Sequence, residues 1–500
     1  MEAPNRPRVI VVGAGFGGLN AAKALRHAPV DVLLIDAHNY HTFQPLLYQV
    51  ATAALDAGDI AHQVRNVFRH QRNVRFRMGR VTDVDYDAKE VVLEDGERLP
   101  YDYLVLANGA VYNDFGTAGV REHAFVLKDL DKAVKLRGHI LSRFEAAAVD
   151  PTLVDKGALT FVIVGAGPTG VEMAGALVEL FQRVLPPEYP ELDLRVARVV
   201  LVEMGPEVLP PFGQGSRRYA ERVLRQRGVD VRLRSAVVSV TADGITLKSG
   251  EFIPCQTVIW AAGVRGHPLG EELGVELERG FRVPVEPDLS LPGRPEVFVV
   301  GDLAAAKDAE GRLLPQVAQV AIQGGKHAAR SIVKRLQGRQ AEPFVYRDLG
   351  NMAIIGRSAG IAELSRRLLG IRMRGFLGWL GWLFLHLIYL PGFRNRLSAF
   401  VSWAYNFFTY DRHARLILAM GPGRGFPLPE EDRPAPAEGE AAPPAAARRA
   451  RARGTPCEAE PPAAPSTREE APGREAAARA GVPAVAVAAE RELVRAGRDR

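Results

Sequence analysis

Cysteine is nearly absent from this 500-residue chain. The two present, Cys255 and Cys457, lie far apart and outside any C-x-x-C. A dithiol redox centre and a disulfide framework therefore have no support. No uninterrupted apolar run reaches the ~20 residues that span a hydrocarbon core. Met1–Pro7 is short and polar and nothing in it resembles a secretory signal, so a cytoplasmic protein is the default expectation. The net charge of +6 comes without a dense basic stripe or a recognisable nucleic-acid module, which argues against a nucleic-acid partner. No Ser–His–Asp constellation stands out, the histidines are scattered, and no metal-ligand spacing is present, so no metal is expected.

Hydrophobic residues make up 47% and charged residues 24%, a globular composition, and the length calls for two or three domains. The chain is organised around RVIVVGAGFGG, Arg8 to Gly18. Val9 to Val12 reads as a buried strand, followed at once by Gly13, Gly15 and Gly18 in G-x-G-x-x-G. Gly13 permits the tight turn, Gly15 the approach of a pyrophosphate, and Gly18 close helix–strand packing. A helix from Phe16 to Ala24 would point free amides at the phosphates. A second strand, VDVLLIDA, ends on Asp36, whose carboxylate can accept bonds from a ribose. Asn39 to Tyr48, including His41, Phe43 and Gln44, reads either as the wall of a cofactor cleft or as a loop packed on itself. The run YLVLA, closing on Ala107 before Asn108 and Gly109, looks like the last strand of a nucleotide-binding unit.

The organisation then repeats. Leu159 to Val164 is a strand, Gly165, Gly167 and Gly170 form a second G-x-G-x-x-G, and VVLVE ends on Glu203. The prolines of Leu185 to Leu194 account for its extra distance from the glycines. VIWAA closes on Gly263. Glu203 favours NAD(H) over NADP(H), because a carboxylate welcomes a ribose hydroxyl and no arginine follows to clamp a 2′-phosphate. Farther on, VFVV runs into Gly301 and Asp302, placed either at a ligand or in a solvated turn. A helix from Pro315 to Arg330 carries Gln316, with Gln319 and Gln323 on one face, suited to a flavin ring or a carbonyl substrate or simply to water.

Phe376 to Leu390, FLGWLGWLFLHLIYL, is too short to cross a bilayer. Arg366, Arg367, Arg372 and Arg374 precede it, and Arg394 and Arg396 follow. Leu397 to Tyr410 is amphipathic, with Leu397, Val401, Ala404 and Phe408 on one face and Ser402, Asn406 and Thr409 on another. Trp379, Trp382, Trp403 and Tyr405 point to a membrane interface with anionic lipid. A domain cover or a homodimer contact is the alternative. From residue 421 the proline, alanine, glutamate and arginine content points to disorder.

The expected fold is α/β, with two Rossmann-like dinucleotide-binding domains, the second inserted in the first. A C-terminal membrane-associating helical region follows. The expected boundaries are 1–120 and 266–345 for an FAD-binding domain and 121–265 for an NADH-binding domain. Residues 346–420 form the membrane-association or dimerisation region, and 421–500 a disordered tail. Two such sites and no thiol pair point to hydride transfer from NADH to FAD. The interfacial segment points to a lipid-soluble acceptor, for which a quinone qualifies.

These motifs resemble the type II NADH dehydrogenases, single-subunit NADH:quinone oxidoreductases of the two-dinucleotide-binding-domain flavoproteins. The resemblance covers about Arg8 to Leu418. Its general marks are VVGAGFGG, VIVGAGPTGVE, YLVLANGA and VVGD; more specific are NYHTFQPLLYQVAT and AQVAIQGG. It implies non-covalent FAD, reduction of ubiquinone or menaquinone without proton pumping, and peripheral attachment to the cytoplasmic face of the cell membrane. It also implies flavin–quinone roles for Gln319 and Gln323 and a proton or quinone role for Glu172. Gln63, Gln316 and Val317 depart from the residues common in the family. A sulfide:quinone reductase or disulfide reductase would need cysteines that are missing here. A reductase with a soluble acceptor would not need the interfacial helices, and a flavin-bound redox-sensing protein would oxidise NADH slowly with no acceleration by quinone.

Overall fold

Strands buried on both faces read as continuous apolar runs, and such runs build parallel sheets. The computed structural model describes residues 6–365 and 370–418. The expected disordered tail, Cys457, Arg366 and Arg367 lie outside the described residues. In the first sheet, β1 (Arg8–Val12) lies between β2 (Asp31–Asp36) and β4 (Tyr103–Leu106), and β3 (Val74–Met78) flanks β2. The chain then builds a second, five-stranded parallel sheet from β5 (Ala124–Val126), β6 (Thr160–Val164), β7 (Arg198–Val202), β8 (Asp230–Arg232) and β9 (Thr257–Trp260). Its order is β5-β9-β6-β7-β8. Only afterwards do β10 (Ser290–Leu291) and β11 (Arg294–Val299) return to complete the first sheet. β11 pairs with β4, giving six strands in the order β10-β11-β4-β1-β2-β3.

Each glycine turn leads into a helix: α1 (Phe16–Ala24) after β1 and α4 (Pro168–Glu179) after β6. Between them come the short α2 (Leu47–Ala51), buried throughout, in the stretch read as either a cofactor-cleft wall or a packed loop, and α3 (Leu130–Val149). In the second unit, α5 (Gln214–Gln226) precedes β8. Helix α6 (Ala318–Leu336) packs on α1 so closely that a Cβ on Gly325 would stand 2.1 Å from the Gly17 carbonyl oxygen.

An antiparallel three-stranded sheet follows, β12 (Gly350–Ile354), β13 (Gly360–Leu364) and β14 (Arg372–Gly375), then α7 (Phe376–Tyr389) and α8 (Phe393–Thr409). Among the described residues no helix is long and apolar enough to cross a membrane. The polar side of α8 faces inward. Asn395 Nδ2 donates to the carbonyls of Gly58, Asp59 and Ala61, Ser398 donates to Asp59, and Asn406 donates to the Ala54 carbonyl. The apolar side faces outward: Phe393, Leu397, Phe400, Val401 and Phe408, the last 81% exposed, join Leu377, Leu380, Phe384 and Ile388 of α7. The tryptophans correct the sequence expectation. Trp382 is 1% exposed, stacked on His386 and packed near Tyr48 and Trp403, and Trp379 packs on the same core. Phenylalanines and leucines, not tryptophans, form the outer surface.

Candidate active site

The two glycine turns share one geometry. Gly13 and Gly165 both sit at φ +102°, where a side chain is strained. A Cβ at Gly18 would stand 1.8 Å from the Gly13 carbonyl oxygen, and one at Gly170 would stand 1.9 Å from that of Gly165. Those third glycines serve helix–strand packing. Gly15 and Gly167 differ: nothing lies within 4 Å of a Cβ built on either. The space they leave is space for a ligand. Each acidic strand end bonds its own turn. Asp36 Oδ2 accepts the Ala14 amide at 2.6 Å, and Glu203, one residue past β7, accepts the Ala166 amide through Oε2 at 2.7 Å. Their other oxygens accept the amides of His38 and Gly205. Thus both carboxylates hold the glycine turns, at strand ends where a ribose would meet the sheet. Gly263, at φ +144°, lies just past β9 against the Phe115 ring.

A cavity of about 1900 Å³ reaches from the first turn to α7. Gly13, Gly15 and Asp36 line it, as do Gln44, Ala107 and Gly109. Gly301 and Asp302, at the end of the returning β11, also line it, which is how a strand nearly two hundred residues after β4 meets the same site. Burial pushes the Asp302 carboxyl up, and Lys128, 4.0 Å away, and Arg282 pull it back. Lys128 carries no motif that the sequence reading could have recognised. Gln316 Nε2 donates to the Asp302 carbonyl at 2.9 Å. Asn108 Oδ1, between Ala107 and Gly109, is buried with no partner among the described residues, an acceptor left for a ligand. The open second glycine, the turn amides and this orphaned oxygen fit a bound dinucleotide such as FAD.

At the α7 end the cavity is lined by Glu172, Tyr48, Trp382 and His386. Glu172, on α4, is 8% exposed and accepts the Ile354 amide through Oε1 at 3.3 Å. Burial pushes its carboxyl up to about 8, while the bonds from Ile354 and Trp382 oppose the shift. Burial pushes the His386 imidazole down to about 4, and its Nδ1 lies 2.7 Å from the Trp382 carbonyl. His41, likewise lowered to about 4 by burial, lies 2.9 Å from the Ala14 carbonyl and faces Phe16 edge-on.

Gln319 lines the cavity with Gln316 and Val317. Gln323 is not among the residues that line it. Its amide bonds both the N–H and the carbonyl of Arg347, so its polar end is spent on backbone rather than on the cavity. Sequence spacing put the two glutamines on one face but could not show that a later segment takes the second. Of the departures, Gln63 is exposed in a short ribbon opposite Tyr40 and does not itself line the cavity. Cys255 is buried and its thiol is pushed up to about 12, so it has no thiolate character.

Two sheets, one parallel and one parallel but for an edge strand, each with a glycine turn tied to an acidic strand end, define a flavoprotein reductase that handles two dinucleotides. The pyridine nucleotide-disulphide oxidoreductase family model matches residues 7–325. Within that class the chain belongs to the type II NADH:quinone oxidoreductases. It is 44% identical over 427 residues to Mycobacterium tuberculosis Ndh, a type II NADH:quinone oxidoreductase, covering 82% of this chain and 90% of the relative. It is 34% identical to the Staphylococcus haemolyticus type II NADH:quinone oxidoreductase, covering 73% and 91%. The structure of NDH2 from Plasmodium falciparum in complex with NADH shares the fold at a TM-score of 0.75 and 19% identity, covering 83% of this chain and all of that one.

Proposed function

We propose that this protein is an NADH:quinone oxidoreductase that holds FAD at the first glycine turn and takes NADH at the second. Bound FAD supplies hydride acceptance and two-electron release. Residues 1–120 and 266–345 carry the flavin, 121–265 the nicotinamide nucleotide, and 346–420 the membrane contact. Gly13, Gly15 and Gly18 shape the FAD pyrophosphate site, and Asp36 holds its ribose. Gln44, Ala107, Gly109, Gly301 and Asp302 line the rest. Gly165, Gly167, Gly170, Glu203 and Gly263 serve NADH, with the Glu203 carboxylate disfavouring a 2′-phosphate.

The observation that carries this reading is the single cavity running from the first turn to the helix whose outer face is apolar. Such a cavity lets a lipid-soluble acceptor, ubiquinone or menaquinone, reach the flavin site without leaving the bilayer surface. Glu172, kept largely protonated near neutral pH by its burial, holds a proton beside that acceptor. Gln319, which also lines the cavity, offers an amide. Quinone reduction proceeds here without proton pumping, as the resemblance implies; among the described residues no helix is long and apolar enough to cross a membrane.

The outward phenylalanines and leucines of α7 and α8 support peripheral attachment to the cytoplasmic face of the membrane, with the exposed Arg372 and Arg394 on anionic lipid. Anaerobic stopped-flow absorbance tests the function. NADH should bleach the flavin and a short-chain quinone should restore it stoichiometrically. Bleaching without restoration would move the acceptor to a soluble partner. Sedimentation equilibrium without lipid separates membrane attachment from a homodimer on the same face.

A further inference from the structure

Trp403 of α8 has an indole N–H that can only donate. It donates to Gln49 Oε1 at 2.7 Å. That contact decides which end of the Gln49 amide is oxygen. The Nε2 end therefore faces Tyr48 and donates to its hydroxyl oxygen at 2.9 Å. Gln49 and Tyr48 are both buried on α2, so water does not compete for these bonds. The Tyr48 oxygen is thus occupied as an acceptor, and its own proton must go elsewhere. Among the described residues no bond from that proton is formed.

Tyr48 lines the cavity with Glu172 and Trp382, its ring 6.4 Å from the Trp382 ring. Burial, with the Glu172 charge adding to it, holds the phenol well above its ordinary range, so the proton stays on. An unspent donor in a buried wall selects a ligand with a carbonyl oxygen and rejects one without it. We propose that the Tyr48 hydroxyl donates the hydrogen bond that seats a quinone carbonyl, with Gln49 and Trp403 as positioning residues that set its polarity. This rests on the NADH:quinone reading. It adds a recognition group on the α2 wall and links the membrane-facing α8 to that group through two bonds of fixed direction.

The test uses the flavin-loaded full chain, NADH and a short-chain ubiquinone. Tyr48→Phe keeps the ring and removes the donor. Gln49→Glu keeps the acceptor for Trp403 but turns the Tyr48 proton toward a carboxylate. Each should lower kcat/KM for quinone by about three- to ten-fold. Flavin bleaching by NADH, read in the same traces, is the internal reference. The double variant should be no worse than either single one, because both remove the same bond. Quinone turnover within two-fold of the parent in Tyr48→Phe overturns the proposal. So does a double variant whose loss is the product of the single losses. If Gln49→Glu sheds flavin, Trp403→Phe, which frees the Gln49 amide to turn, takes its place with the same expectation. A parent enzyme that bleaches but is never reoxidised by quinone overturns the underlying reading, and this inference with it.

Discussion

Gln323 grips Arg347 by both of its backbone polar groups, donating to the carbonyl at 2.9 Å and accepting the amide N–H at 3.0 Å. That grip holds the segment at 339–349, which has no regular secondary structure and carries Phe344, Val345 and Tyr346 along the cavity. Gln323→Leu should loosen this wall. FAD should dissociate about three- to ten-fold more readily, for the loss of one or two partly exposed hydrogen bonds. Turnover at saturating FAD should stay near the parent value. Fluorescence of released flavin measures the first and steady-state kinetics the second. Lost turnover with flavin binding intact would return Gln323 to the reacting site.

The glycine turn separates ligand space from packing space. Gly15→Val places its side chain where no protein atom stands, so the chain should fold and fail to retain FAD. Gly18→Val drives a Cβ to 1.8 Å from the Gly13 carbonyl and should destabilise the fold itself. Thermal melting of the flavin-free proteins, beside flavin content after purification, distinguishes the two. Near-normal flavin in Gly15→Val would remove FAD from the first turn.

Glu172 imposes a pH dependence with a definite sign. Its folded carboxyl titrates at about 8 because it is buried, against an ordinary value of 4.5. Between those values the folded state keeps a proton that the unfolded chain has lost. Stability therefore falls as pH rises from 4.5 to 8. Glu172→Gln should flatten that slope and raise the melting midpoint most at the alkaline end. In the parent, quinone-driven flavin reoxidation should slow above about pH 8 as Glu172 loses its proton. An identical pH profile in Glu172→Gln would take the proton role away from this residue.

The outer helix faces predict a lipid phenotype without a folding phenotype. Phe384→Gln, Phe400→Gln and Phe408→Gln each remove an exposed ring, so each should change stability by no more than about 0.5 kcal/mol. Each should weaken partition onto anionic vesicles by about ten-fold or more, as a phenylalanine is worth roughly 1.5–3 kcal/mol on burial. Flotation assays read this directly. Deleting the whole region is a poorer test, because Trp382, Leu390 and Ala399 belong to the buried core. Unchanged flotation of a variant carrying all three substitutions would sink the membrane reading.

The glycine turns were legible because their requirement is steric and local: positive φ at Gly13 and Gly165, and no room at Gly18 and Gly170. Asp36 and Glu203 were legible because strand ends are easy to place. What stayed hidden was direction. The α8 pattern showed an apolar and a polar face but not that the polar one is buried, since Asn395 finds its partners in residues 58–61. Trp382 was misplaced for the same reason: an apolar run reveals nothing about which residues turn inward. The bond from Gln323 to Arg347 stayed hidden because Arg347 lies in an irregular segment that no periodicity announces. Helix α2, five residues long, is too short to show a period at all.

The return of β10 and β11 to the first sheet has a consequence for how the chain is made. During synthesis, β1 to β4 emerge first, yet their sheet lacks its last two strands, and Gly301 and Asp302, until the ribosome has passed residue 302. The five strands of the second sheet, 124–260, are all available before that point. The later unit can therefore close while the earlier one is still open. Strands made earlier thus wait on strands made later for their complete environment.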